Sequence, residues 1–155
     1  MDFLEEVVMA GEEDLKNEIR ASIKAWGDAL MRKDLDAMHR DYAASYRLFD
    51  VKDTANGVAE VKALWERCFP YFEKPVIEYK DMVIEATEGM AVAHFYCRMS
   101  GLVDAPEGDM PRSWLRGTVC FRKDRGVWTC IHEHISFPVN CETGEIAFIL
   151  DDEAA

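Results

Sequence analysis

Two histidines stand two residues apart near the end of the chain, in Trp128-Thr129-Cys130-Ile131-His132-Glu133-His134-Ile135-Ser136. Residues two apart on an extended segment point to one side. His132 and His134 are therefore expected to share a face with Trp128, Cys130 and Ser136. Imidazole, with an unperturbed pKa of ~6.5, suits general acid–base catalysis near neutrality. The preceding segment places Trp114, Arg116 and Thr118 on one face. If a tight turn at 124–126 pairs Lys123 with Val127, Arg116 falls opposite His134 and Thr118 opposite His132; a slip of one residue sends the set to opposite faces. A guanidinium there holds an anionic group or counters developing negative charge. Two imidazoles, a guanidinium and a hydroxyl at this density are costly to bury without partners. The pattern reads as a polar pocket wall, with His134 a candidate base, His132 and Thr118 candidate substrate contacts, and Arg116 an electrostatic clamp.

A carboxylate offers a second base. Tyr46, Leu48 and Asp50 alternate onto one face of a short extended piece. A carboxyl group in an apolar cavity has a raised pKa and can take up a proton. Asp50 is thus an alternative base, with Tyr46 beside it to orient or polarise a substrate. His132 and His134, with His94 and an acid such as Asp50 or Glu133, are also the residue types of a metal site. Glu133 alternates to the face opposite the histidine pair, however, and no HExxH motif occurs, so no metal is expected. Trp26, Trp65, Phe69, Tyr96 and Trp114 supply aromatic surface for the core or for the lining of a mostly apolar pocket. No phosphate-binding glycine loop, GxSxG elbow or Cys/His nucleophile arrangement is present, so no nucleotide cofactor is implied.

These residues must be positioned by regular elements. Leu15, Ile19, Ile23, Trp26 and Leu30 recur at helical steps, predicting an amphipathic helix over 12–33. A shorter helix is expected at 34–44, where His39 lies on the polar, solvated side. The extended piece 46–50 and a turn at 53–57 follow, then a third helix at 57–69 stopped by Pro70. Strands are expected at 76–86, 90–101, 113–123 and 127–139, separated by turns and by the loop 104–111. Upstream, Phe3, Leu4, Val7 and Val8 suggest a small docking helix. Downstream, the apolar run 146–150 is expected to cover the pocket mouth or to join a dimer contact, with 151–153 in solvent. Three helices followed by antiparallel strands predict an α+β domain with its helices on one face of a curved sheet.

Between Ala91 and Met99 both strand faces are substantially apolar or aromatic, whereas a sheet wetted on one side shows a polar face. One face is expected to meet the helices and the other a second subunit, giving a homodimer. The 155-residue chain suits one domain, 1–155, with a core at about 12–140 and a tail at 141–155. Its net charge of −12 disfavours nucleic acid and anionic lipid as partners. Five widely spaced cysteines without a CxxC pair read as small apolar residues in a reducing cytoplasm. Neither a signal peptide nor a membrane span is apparent.

The order of elements, the Lys33-Asp34-Leu35-Asp36-Ala37-Met38 segment, the Asn56-Gly57 helix entry and the Gly126-x-Trp128-x-x-x-His132-x-His134-x-Ser136-x-Pro138 ending together resemble the nuclear transport factor 2-like superfamily. The similarity is to its SnoaL-like, ketosteroid isomerase-like branch, and it covers about residues 12–140. The resemblance implies a conical fold, with three N-terminal helices packed on a strongly curved, mainly antiparallel sheet. It also implies a pocket at the wide end and pairing of subunits through their sheets. The group includes isomerases, cyclases, dehydratases and non-catalytic association modules, so fold alone does not assign a function. Two readings follow. One is an enzyme moving a proton next to a carbonyl of a small apolar molecule in a central pocket. The other is a non-catalytic module for ligand binding or subunit association. The base and two-donor trio of ketosteroid isomerase cannot be placed on this chain: the first helix has Trp26 where a Tyr would be needed.

Overall fold

The computed structural model describes residues 3–151, with side chains from Gly11 onward. Helix α1 (Phe3–Met31) buries Ile19, Ile23 and Leu30 on the stripe their spacing anticipates. It begins earlier than residue 12, so Phe3 to Val8 extend the same helix; their side chains lie outside the described residues. Lys33, at φ 54°, ends the turn that follows α1, and its Nζ donates to the Phe72 carbonyl at 2.6 Å, tying the helix end to the sheet. Helix α2 (Leu35–Met38) is a single turn, capped by the Asp34 carboxylate accepting from the Ala37 amide at 3.0 Å. It does not run to residue 44. Strand β1 (Tyr42–Phe49) begins instead, because pairing with a distant strand and burial of Tyr46 and Leu48 outweigh the local helical spacing.

Strand β2 (Thr54–Asn56) occupies the expected turn and pairs antiparallel with β1. Helix α3 (Gly57–Cys68) follows; Gly57 has φ +77°, a conformation that L side chains rarely adopt. A 3₁₀ turn (Phe69–Tyr71) leads into β3 (Phe72–Ala86), β4 (Met90–Leu102), β5 (Leu115–Asp124) and β6 (Val127–Ser136). The sheet runs β2-β1-β6-β5-β4-β3, antiparallel throughout except between β1 and β6. It is an open, mixed α+β arrangement. One face packs on Ile19, Ile23, Val61 and Leu64 of the helices through Ala93, Phe95, Val119, Phe121 and Trp128. Among the described residues no helix is long and apolar enough to cross a membrane.

The last hairpin departs from simple alternation. Its two-residue turn, Arg125-Gly126, has positive φ at both positions and pairs Asp124 with Val127. Phe121 then faces Cys130, but Cys120 faces His132. Strand β6 thus spends three residues where β5 spends two, a β-bulge at Ile131. Together these place Thr118 opposite His134 and Arg116 opposite Ser136, two residues from the expected register. The bulge also switches parity: Trp128 and Cys130 line the helix side, and beyond it Glu133 and Ile135 do. His132 and His134 share a face with Arg116 and Thr118, but it is the outer one.

The tail does not cover the inner face. The Trp114 amide donates to the Ile149 carbonyl at 2.8 Å, and Phe148 packs edge-on to Phe137. Asp151, exposed as expected, accepts from Trp114 Nε1 at 2.7 Å and from Arg98 at 2.9 Å, which pins it to the outer face near the start of β5. Residues 152 and 153 lie outside the described residues.

Gly117 sets the depth of the inner face. A Cβ on it would stand 2.4 Å from the Phe95 ring, so the ring occupies the space that a side chain at 117 would need. Gly117→Val is expected to force that ring out of place and destabilise the fold by about 1–3 kcal/mol, measured by urea unfolding; an unchanged midpoint would show that the ring moves freely.

Candidate active site

The helices and sheet leave a cavity of about 640 Å³ between them. Its wall is mostly apolar, with aromatic rings from Trp26 of α1, Trp65 of α3, and Tyr79, Phe95, Phe121 and Trp128 of the sheet. Tyr42, Asp50 and Glu133 are set into this wall, with the thiols of Cys68, Cys97 and Cys130. Arg32, Arg40 and Asp41 border the cavity and are exposed. Glu18 fastens one side: it accepts from Trp128 Nε1 at 2.6 Å and from Lys123 at 2.8 Å, linking α1 to the last hairpin.

Glu133 is the centre of the polar set. Tyr42 donates its hydroxyl to Glu133 Oε2 at 3.1 Å, and Tyr46 donates to the same oxygen. The two phenol rings lie 4.6 Å apart between centroids, tilted by 51° to each other. Burial raises the Glu133 pKa above its ordinary value; the tyrosine hydrogen bonds oppose the rise, and the negative charge of Asp50 adds to it. Asp50 is raised as well, first by burial, against the Val51 backbone hydrogen bond. Both tyrosines are pushed upward by burial and by Glu133, so they remain protonated donors. Burial pushes Cys97 up to about 12, which keeps it an unreactive thiol near neutral pH.

The residues singled out from sequence separate into groups. Asp50, Trp26 and Trp65 line the cavity. Tyr46, 1% exposed, stands behind the wall and reaches the site through Glu133. Phe69 packs tilted on Trp65 without lining the cavity. Arg116, Thr118, His132, His134, Tyr96 and Trp114 belong to the other side of the sheet; Arg116 and His134 are exposed there. His132 Nδ1 lies 2.7 Å from the Arg47 carbonyl, and Phe49 stands edge-on to both histidines. Trp114 is covered by Arg98, whose guanidinium carbon is 4.3 Å from the ring centroid. The imagined metal set is therefore split by the sheet, with its acids inside and its histidines outside.

From the sequence Glu133 enters only as a possible metal ligand on the face away from the histidines, and Tyr42 is not among the candidate site residues. The signal lay in the apolar pattern: Trp128 and Cys130 hold even positions, whereas Ile131, Ile135 and Phe137 hold odd ones, a parity change that marks an inserted residue. His39 was expected in solvent but is 4% exposed; Nδ1 lies 2.8 Å from the Leu35 carbonyl, and burial lowers its pKa. It sits edge-on to Tyr42, 4.8 Å between ring centroids, because α2 is too short to turn it outward.

The sequence matches the SnoaL-like domain over residues 19–140. The chain belongs to the SnoaL-like family. Solved structures agree with this placement within the NTF2-like superfamily. An NTF2-like protein of unknown function from Pseudomonas putida KT2440 is 28% identical, with a TM-score of 0.75 over 92% of this chain and 97% of that one. An NTF2-like protein with a cystatin-like fold from Novosphingobium aromaticivorans is 16% identical, with a TM-score of 0.70 over 99% and 93%. A protein provisionally named a dehydratase of the NTF2-like family, from Streptomyces avermitilis, is 16% identical, with a TM-score of 0.65 over 83% and 98%. Among curated proteins none matches at a significant level.

In this SnoaL-like chain the ionisation of Glu133 should be visible in stability. A carboxyl whose folded pKa is raised favours the folded state at low pH, and that contribution is lost as pH rises from the ordinary value of 4.5 through the folded pKa. Glu133→Gln keeps an oxygen for the two hydroxyls and removes the ionisation. Its Tm relative to wild type is expected to rise as pH goes from about 4.5 to 8, read by thermal unfolding across buffers. A difference independent of pH would show that Glu133 ionises in the fold at no cost.

Proposed function

We propose that this SnoaL-like protein is an enzyme that moves a proton on a small, largely apolar organic molecule, by isomerase, cyclase or dehydratase chemistry. The observation that carries this reading is a pair of carboxyl groups, Asp50 and Glu133, set into one aromatic cavity. Two carboxyl groups lining one desolvated site each resist ionisation, which suits one to give a proton and the other to take one. That is the pairing proton transfer needs: a base to take the proton and an acid to return it or to protonate a leaving oxygen. Glu133 suits the acid. Its Oε2 is occupied by Tyr42 and Tyr46, which leaves Oε1 to carry a proton toward the cavity. Asp50, held by the Val51 backbone, suits the base. Trp26 and Trp65 would hold the apolar body of the substrate by stacking.

The second reading is a ligand-binding module without turnover. It is favoured by the engagement of Glu133 with two tyrosines, an arrangement that also serves as a buried structural tie. Incubation with a panel of small cyclic ketones in D₂O separates the two. The enzyme reading expects deuterium to enter carbon next to the carbonyl, and Asp50→Asn to slow that exchange by about 10²-fold or more. Ligand-induced thermal shifts without any exchange would select the binding module.

We also propose that two copies pair through the outer sheet face. Phe49 and Val83 are 37% and 43% exposed there, at either end of the row Phe49–His134–Thr118–His94–Val83. The adjacent row runs Glu85–Val92–Cys120–His132–Arg47. A two-fold axis along the strands would lay its acidic end over the basic end of a second copy. Light scattering is expected to give twice the chain mass, and Phe49→Asp to give one chain mass with unchanged circular dichroism; a monomeric wild type would remove this proposal. With all five cysteines free, the proposed compartment is the reducing cytoplasm.

A further inference from the structure

We propose that the molecule taken into the cavity carries a basic nitrogen: an aromatic or polycyclic amine, held as its ammonium form beside Asp50 and Glu133. This rests on the reading of the cavity as a small-molecule site and narrows the class of molecule.

The cavity offers a polar group acids rather than bases. Its inward acids have no basic partner: neither Asp50 nor Glu133 makes an ion pair with Lys, Arg or His among the described residues. Arg32 and Arg40 border the cavity but are exposed, and Arg32 already donates to the Asp28 carbonyl at 2.9 Å. No histidine or lysine lines the wall. The Tyr42 hydroxyl is spent on Glu133, as is that of Tyr46 behind it. A carboxylate or phosphate ligand would therefore enter a net-negative protein and face the inward acids, the cations of the lining being the exposed Arg32 and Arg40 at its border. A neutral ligand would leave the charge of the acid pair uncompensated.

An ammonium group resolves both problems. One positive charge beside these two carboxyl groups compensates the negative charge that the wall leaves unpaired. The rest of the wall suits the same ligand. Trp26 and Trp65 meet edge-on at 5.6 Å between centroids, and Tyr79 meets Phe95 edge-on at 4.9 Å. Such groups present both ring faces and ring edges, and a cation is attracted to the faces. The buried Nε1 of Trp26, on this wall, has no hydrogen-bond partner. It is a donor left over for a neutral acceptor elsewhere on the ligand, such as a carbonyl or ether oxygen.

The test uses three aryl-ethyl series, phenyl, naphthyl and indolyl, each as the amine, the alcohol and the chain-matched carboxylate. Affinities for the full chain are measured by calorimetry at about pH 7.5 and pH 5. The expected result is an amine bound about tenfold or more tighter than its alcohol at pH 7.5. That preference should shrink at pH 5, as the carboxyl groups take up protons. Asp50→Asn and Glu133→Gln should each reduce the preference without abolishing binding of the alcohol. The pH series on the unaltered chain decides the matter if either variant fails to fold. Equal or tighter binding of the alcohols or carboxylates would overturn the amine and leave the cavity reading in place. Binding of none of the nine compounds would overturn both.

Discussion

Glu133 points toward the helices because β6 carries one more residue than β5 opposite it. Without the bulge at Ile131, a strand that buries Trp128 and Cys130 would go on to bury His132 and His134, with Glu133 in solvent. With it, the same strand satisfies two demands in sequence. Its first half packs against α1, with Trp128 tied to Glu18, and its second half delivers an acid to the two tyrosines of β1. The parallel pairing of β1 with β6 brings those tyrosines alongside: Tyr42 is paired with Cys130, and Leu48 with Glu133 itself. The polar centre of the cavity therefore depends on local irregularities in register, the bulge at Ile131 and the shift in β1 between Tyr42 and Arg47.

That dependence explains how much of the molecule could be read from the sequence. The stripe Ile19–Ile23–Leu30 and the helix entry at Gly57 are local signals, and they located α1 and α3 well. Tyr46, Leu48 and Asp50 follow plain alternation on the straight end of β1, and the inward face assigned to them was correct. Helix α2 was overextended because the segment after Met38 keeps a helical spacing of apolar residues, while its real partner, β6, lies some ninety positions away. Period-two alternation carried across the bulge at Ile131 puts the histidine pair in the cavity, whereas the structure puts it on the outer face. The sharing of one face by Arg116, Thr118, His132 and His134 survived, since a register error of two preserves parity; only the choice between inside and outside was lost.

The cavity also depends on restraint in the packing around it. Gly117 allows Phe95 to lie against the β5 backbone instead of standing into the space. Glu18, exposed on α1, holds the last hairpin by a charged hydrogen bond to an indole, and Lys33 holds the far end of the helix on the Phe72 carbonyl. These ties lie at the margins of the void. They fix the spacing between α1 and the sheet without filling it, whereas an apolar side chain placed centrally would fix the spacing by closing the space.

The two faces of the sheet treat charge differently, and the contrast bears on function. On the outer side Arg98 is matched by Glu78 and Asp151, and Arg122 by Asp124, all within reach of water. Such pairs contribute little and cost little. On the inner side Asp50 and Glu133 make no ion pair among the described residues and stand beside aromatic rings, where desolvation penalises their charged forms. Stability alone would favour apolar residues at both positions. Tyr42 and Tyr46 reduce the penalty at Glu133 but do nothing for Asp50. An uncompensated acid facing an open space is a requirement that a bound molecule can meet and the fold does not. For that reason the function of this chain is read from Asp50 and Glu133 rather than from the more conspicuous histidines and arginine across the sheet.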